Sequence, residues 1–133
     1  MSMRHVLIAD DEPMVARLLR IALERAGYRV STVPDGLAAW ERIRQAPPDV
    51  LITDIDMPRM NGEQLCRRVQ EEVVDRKFPI CVLTSKTAIE HRDWSQKIAD
   101  LMFLEKPVSV RMLLAKLDDR FRGDGGEPMR ELA

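Results

Sequence analysis

The stretch Val50-Leu51-Ile52-Thr53, closed by Asp54, decides how this chain folds. It does not alternate apolar with polar residues, and a strand of that kind is covered on both faces, as in a parallel sheet. Three more such runs lie along the chain: Val6-Leu7-Ile8-Ala9, Ile80-Cys81-Val82-Leu83 and Leu101-Met102-Phe103-Leu104. A fifth strand, more polar, fits residues 29–33 after the stop signal Gly27.

Between the runs the spacing turns helical. Pro13 suits a first turn, and Val15, Leu18, Leu19, Ala22 and Leu23 recur at helical spacing before Gly27. Further helices are expected over 37–45, stopped by Pro47-Pro48, and over about 62–75, with Leu65, Cys66, Val69 and Val73 on one face. A more polar helix is expected over 88–99, and a last one over 108–121 with Leu113, Leu114 and Leu117 inward. The order βαβαβαβαβα with short connections implies right-handed crossovers and helices on both faces of one sheet. The expected class is α/β: a doubly wound five-stranded parallel sheet in the flavodoxin-like order 2-1-3-4-5.

Composition bounds the function. The chain has 133 residues, 45% hydrophobic and 32% charged, which suits one compact domain over 1–122. Residues 123–133, GDGGEPMRELA, read as a flexible tail. No apolar run approaches the ~20 residues of a membrane helix, and the N-terminus meets acids too early for a signal peptide, so a cytoplasmic protein is expected. Lys and Arg number 21 against 22 Asp and Glu, a net charge of −1 that gives no sequence-independent reason to bind nucleic acid. Cys66 and Cys81 lack metal spacing and are expected to be reduced and buried. His5 and His91 have no partner at metal-ligand spacing and are expected to be structural or solvated; Trp40 is expected to pack helix 2 on the sheet, and Trp94, if exposed, to anchor a partner.

In an open α/β sheet, ligands bind beyond the carboxyl ends of the strands. Strand 1 ends in Asp10-Asp11-Glu12, strand 3 in Asp54 followed by Ile55-Asp56-Met57-Pro58, strand 4 in Thr84-Ser85, and strand 5 in Glu105-Lys106-Pro107. Each residue alone has a plain reading: a helix cap for Asp10 or Asp11, a turn for Asp54, a satisfied hydroxyl for Thr84, a solvated charge for Lys106. Together, three carboxylates, a hydroxyl and an amine on one edge form a site of hard oxygen ligands and a cation. Mg²⁺ takes such oxygens plus a phosphate oxygen, with Asp11 and Asp54 as direct ligands and Asp10 acting through water. A carboxylate can also become an aspartyl-phosphate, with Lys106 on one phosphoryl oxygen and the Thr84 hydroxyl on another.

These residues resemble the receiver domain of two-component response regulators. The resemblance runs from about Arg4 to Phe121 and rests on Asp10-Asp11, on Asp54 with Met57-Pro58 and Asn61-Gly62, on Thr84, and on Lys106-Pro107. It implies that Asp54 is the phosphoacceptor and that Asp10 and Asp11 hold Mg²⁺ with the main-chain carbonyl of Asp56. It implies that Thr84 is a switch hydroxyl followed by Phe103, and that Lys106 binds phosphate beside a cis bond to Pro107. The implied donor is a histidine kinase or histidine phosphotransfer protein; a downstream protein and a second copy of this chain are further candidate partners. Some positions depart from the common pattern: Ala99-Asp100 ahead of Phe103, Ser85 after Thr84, and the polar helix 4. Asp56 and Lys86, each two residues past a site residue, are expected to rim the opening and to govern how long a phosphoryl group survives. Two other readings stay open. Asp54-Ile55-Asp56 also resembles the DxD of haloacid-dehalogenase-like aspartyl-phosphate phosphatases, and a receiver fold can serve as an unphosphorylated binding scaffold.

Overall fold

Alternate residues of a strand point to opposite faces, so a run that is apolar throughout needs a packed layer on each side. The computed structural model describes residues 3–85 and 88–122 and has this arrangement. Five parallel strands, β1 (His5–Ala9), β2 (Arg29–Val33), β3 (Val50–Asp54), β4 (Ile80–Thr84) and β5 (Leu101–Glu105), form a sheet in the order β2-β1-β3-β4-β5. They alternate with helices α1 (Pro13–Arg25), α2 (Gly36–Gln45), α3 (Gly62–Glu72), α4 (Arg92–Ser95) and α5 (Val110–Arg122). Leu7, Leu51 and Val82 face one core with Trp40, Leu65 and Val69. Ile8, Ile52 and Leu83 face the other with Leu19, Leu23 and Leu117. Each such aliphatic side chain contributes about 1.5–3 kcal/mol when fully buried. Cys66 and Cys81 are buried free thiols, and burial pushes both up to about 12, so they stay protonated. Among the described residues, no helix is long and apolar enough to cross a membrane.

The helices depart from the sequence reading where local chemistry decides. In α1 the buried residues are Ala16, Leu19 and Leu23. Leu18 is exposed rather than inward, because with Met14 and Ile21 it forms a second stripe at i, i+4, i+7. The third helix stops at Glu72, not 75: Val73 turns extended and Asp75 is left-handed, with φ 52°. The last helix starts at Val110, not 108, since the Ser109 hydroxyl accepts from the Met112 N–H at 3.2 Å. Leu114 is only partly buried against its core.

The fourth helix is the largest difference. In place of a helix over 88–99, a 3-10 turn over Ala88–His91 leads into the single turn of α4. Among the described residues of this segment Trp94 and Ile98 are buried, so Trp94 is not a surface anchor. The Lys97 and Ile98 N–H groups reach only to i−3, onto the Trp94 and Ser95 carbonyls. Bonds of this i−3 kind end the α-helix after one turn.

The loop after β3 is fastened tightly. The Gly62 N–H donates to the Ile55 carbonyl at 2.7 Å, and the Gly36 N–H to the Met60 carbonyl at 3.0 Å. Arg59, left-handed at φ 66°, donates from its guanidinium to Asp35, which caps α2 by accepting from the Ala38 N–H at 2.8 Å. The Asn61–Gln64 capping box starts α3. A Cβ on Gly62 would stand 2.1 Å from the Asp54 carbonyl oxygen, a backbone atom that cannot swing away. Gly62→Ala is therefore expected to lower unfolding free energy by about 1–3 kcal/mol, measured by urea denaturation. A loss below a few tenths of a kcal/mol would show that the loop has room to shift.

Candidate functional site

The sheet register brings the polar strand ends into one place. β1 and β3 run in step from the pair Val6–Val50, and Thr84 pairs with Glu105 across β4 and β5. The Lys106 N–H donates to the Thr84 carbonyl at 2.8 Å, which fixes the start of the next turn. The Lys106-Pro107 bond is cis, in line with the resemblance.

Asp54 is buried at 5% exposure, with both carboxylate oxygens engaged. Oδ1 accepts the Ile55 N–H at 2.7 Å, and Oδ2 accepts from Lys106 Nζ at 2.9 Å. Lys106 also reaches Glu12 Oε1 at 3.4 Å. Burial alone would lower the Lys106 ammonium, but Asp54, with Asp10 and Glu12, outweighs it and holds the group above its ordinary value. Asp10 is buried; its Oδ1 accepts the Glu12 N–H at 2.9 Å, and its Oδ2 is buried without a hydrogen-bond partner. Glu12, the N-cap residue of α1, makes no side-chain cap bond, and α1 begins on Pro13 instead. α1 thus has no side-chain N-cap, and α3 is capped by Asn61 rather than by an acid of the site.

Ligand oxygens of Asp10, Glu12 and Asp54 lie within 4.8 Å of one another. This is an all-oxygen donor set with an orphaned buried oxygen, and it fits a hard divalent cation. Sequence reasoning passed over Glu12 as a ligand; its only signal was its place two residues past Asp10 at the same strand end. Asp11 and Asp56 are exposed beside the site, and Asp11 is not in that close group. Lys86 and the tail over 123–133 lie outside the described residues, so the rim pairing of Asp56 with Lys86 does too.

Thr84 is buried, and its Oγ1 lies 3.3 Å from His91 Nε2. The His91 ring stacks on Phe103, with centroids 5.8 Å apart, and Trp94 meets both rings edge-on. Residue spacing carries no signal for this contact of His91, whose sequence expectation is a structural or solvated side chain. His5 fits the structural reading: its Nε2 lies 2.8 Å from Ser31 Oγ, and burial with the Arg29 and Arg42 charges lowers its pKa.

The geometry agrees with the comparisons. The response regulator receiver domain family matches residues 6–118. Response regulator receiver protein CpdR of Brucella abortus is 35% identical over 116 residues, 87% of this chain and 95% of that protein. Response regulator GtcR of Aneurinibacillus migulanus is 39% identical over 122 residues, 88% of this chain but 47% of that protein. The chain spans about half the length of several curated relatives it matches. The structure of chemotaxis response regulator CheY4 of Vibrio cholerae superposes with a TM-score of 0.80 at 31% identity, covering 87% of this chain and 97% of that one. The chain belongs to the response regulator receiver domain family, and it carries the acidic pocket of Asp10, Glu12 and Asp54.

Burial pushes the Asp10 carboxyl up from 3.8 to about 6; the Asp54 and Glu12 charges add to this, while the Glu12 N–H and Lys106 oppose it. Between those values the folded protein binds more protons than the unfolded chain. The stability Asp10 contributes is thus fully present below 3.8 and lost as pH rises through about 6. In Mg²⁺-free buffer, Asp10→Asn is expected to match wild type near pH 4 and to exceed it by about 1–3 kcal/mol above pH 7. Urea denaturation across that range checks this, and a gap that does not change with pH would rule out Asp10 as its source.

Proposed function

We propose that this chain is a phosphoacceptor switch of a two-component system, working in the cytoplasm. It takes a phosphoryl group from the phosphohistidine of a histidine kinase or histidine phosphotransfer protein onto Asp54. The observation that carries this reading is the buried Asp54 carboxylate held by Lys106 beside two further acids. An Asp54 oxygen attacks phosphorus as the P–N bond to imidazole breaks; the imidazole leaves with the electron pair and takes up a proton. Asp54 acts as nucleophile because the Ile55 N–H and Lys106 fix its orientation. Lys106 then moves from neutralising the carboxylate to neutralising a phosphoryl oxygen, and the Thr84 hydroxyl donates to another. Mg²⁺, held by Asp10 and Asp54 with Glu12 or Asp11 and the Asp56 carbonyl, supplies further charge neutralisation when bound. Thr84 and Phe103 carry the change to a protein-contact face for a downstream protein or a second copy. The parallel 2-1-3-4-5 order and the family match support this reading over a haloacid-dehalogenase-like phosphatase.

The phosphohistidine partner has a suitable seat. Met14, Leu18 and Ile21 expose an apolar stripe on α1, which starts at the acidic edge. A helix presenting phosphohistidine can cover that stripe while its imidazole reaches Asp54.

Two outcomes test this. With acetyl phosphate and Mg²⁺, mass spectrometry is expected to find the acyl phosphate on Asp54, and Asp54→Ala to take none; unchanged labelling of the variant would sink the assignment. Leu18→Glu is expected to slow transfer from a phosphohistidine donor by about tenfold or more while acetyl phosphate labelling stays as in wild type. Equal transfer from the protein donor would remove α1 from the interface.

A further inference from the structure

His91 closes the 3-10 turn ahead of α4, and its ring is fixed from two sides. The Trp94 indole N–H lies 3.2 Å from Nδ1. An indole nitrogen can only donate, so Nδ1 is the acceptor and the ring proton is assigned to Nε2. Nε2–H faces Thr84 Oγ1 at 3.3 Å, which makes His91 the donor to that hydroxyl. The ring also lies nearly parallel to Phe103, at 17°, with the edge of Trp94 against both. One side chain thus joins the Thr84 hydroxyl to the aromatic side chain of β5.

The sheet order gives this bond a direction. β4 lies between β3, which carries Asp54, and β5, which carries Phe103. His91 stacks on the β5 side of Thr84, and Asp54 is on the β3 side. Thr84 is β-branched, so its hydroxyl occupies discrete rotamers rather than a continuum. A hydroxyl turned toward β3 leaves the His91 N–H.

We infer that His91 is a positioning residue that latches Thr84 in the unphosphorylated protein and lets go when the phosphoryl group on Asp54 takes the hydroxyl. The exchange requires Asp54 to be the phosphoacceptor, as proposed above. His91 favours one of two arrangements and the phosphoryl group the other, so removing the latch raises affinity for the phosphoryl group. Once released, the His91 ring is free to shift. Its motion passes directly to Trp94, whose N–H it holds, and to Phe103, on which it stacks. α4 is a single turn, and among the described residues Trp94 and Ile98 are the buried apolar side chains of this segment.

The test uses the full chain with Mg²⁺ and beryllofluoride, which mimics a phosphoryl group on a carboxylate. Long-range ¹H–¹⁵N NMR of the unloaded protein is expected to show His91 as the Nε2–H tautomer. Beryllofluoride binding, followed by ¹⁹F NMR, is expected to be about two- to tenfold tighter in His91→Phe, which keeps a flat ring but cannot donate. Trp94→Phe keeps the edge contact but frees the tautomer; it is expected to shift affinity the same way by less, and it serves if His91→Phe does not fold. In wild type, loading is expected to shift the Trp94 indole resonance. An Nδ1–H tautomer, or affinity in both variants equal to or below wild type, would overturn the latch and leave Asp54 in place. A wild type that takes no beryllofluoride, or takes it equally after Asp54→Asn, would overturn the phosphoacceptor reading and the exchange with it.

Discussion

The ion pair between Lys106 and Asp54 holds the carboxyl edge of the sheet together. Both groups are largely withdrawn from water, and an isolated carboxylate at 5% exposure would be costly. Lys106 offsets that cost, and it is itself anchored through its N–H on the Thr84 carbonyl. The compensation is incomplete. Three carboxylates against one ammonium leave a net charge of −2 when all are ionised. At Asp10, burial displaces the carboxyl upward, the Asp54 and Glu12 charges add to that, and Oδ2 has no donor. A site in this condition favours added positive charge, and it tolerates more negative charge only if a cation comes with it.

The rest of the fold brings these groups to one place without spending them on structure. α1 begins on Pro13 and needs no carboxylate cap, and α3 is capped by Asn61 and Gln64. The loop from Ile55 to Asn61 is closed by backbone bonds, by the Arg59–Asp35 pair and by two glycines that admit a carbonyl where a Cβ would stand. Asp35 shows the contrasting use of a buried acid. It is saturated by Arg59 and the Ala38 N–H, so its carboxyl is held below the usual range. Asp10, with burial similar but donors fewer, goes the other way. The number of hydrogen bonds reaching each carboxylate separates Asp35 from Asp10; Asp54, with a donor on each oxygen, stands with Asp35 in this respect.

Much of this was legible in the sequence, and the part that was not has identifiable physical causes. Strands covered on both faces must be apolar at every position, so the runs at Val6, Val50, Ile80 and Leu101 could be read directly; the alternation implied a parallel doubly wound sheet, and of its two common orders the expected 2-1-3-4-5 is the one found. Helix ends were less legible, because they depend on a single group: Ser109 for α5, the extended Val73 for α3. Leu18 was misplaced because leucine favours either stripe of α1, and only the sheet selects Ala16, Leu19 and Leu23. Asp10, Asp54 and Lys106 meet as their strand ends imply. The contacts of Glu12 and His91 arise from a helix start without a cap and from a turn too short to be the expected helix. Neither circumstance leaves a mark in residue spacing.

The two segments that flank the site differ in how they are built. α1 spans 13 residues and seats Leu19 and Leu23 with no exposure. The segment after β4 has one α-helical turn, closes on i−3 bonds and, among its described residues, buries Trp94 and Ile98. Elements with few buried contacts open at lower free-energy cost than packed ones. On the proposed switch reading, a change of charge at Asp54 meets the packed α1 on one side and the ring cluster of His91, Trp94 and Phe103 on the other. The stiff face suits docking, where a fixed shape limits the entropy lost on binding. On the same reading the other face suits output, because a modest difference in contact energy is enough to shift a lightly held segment.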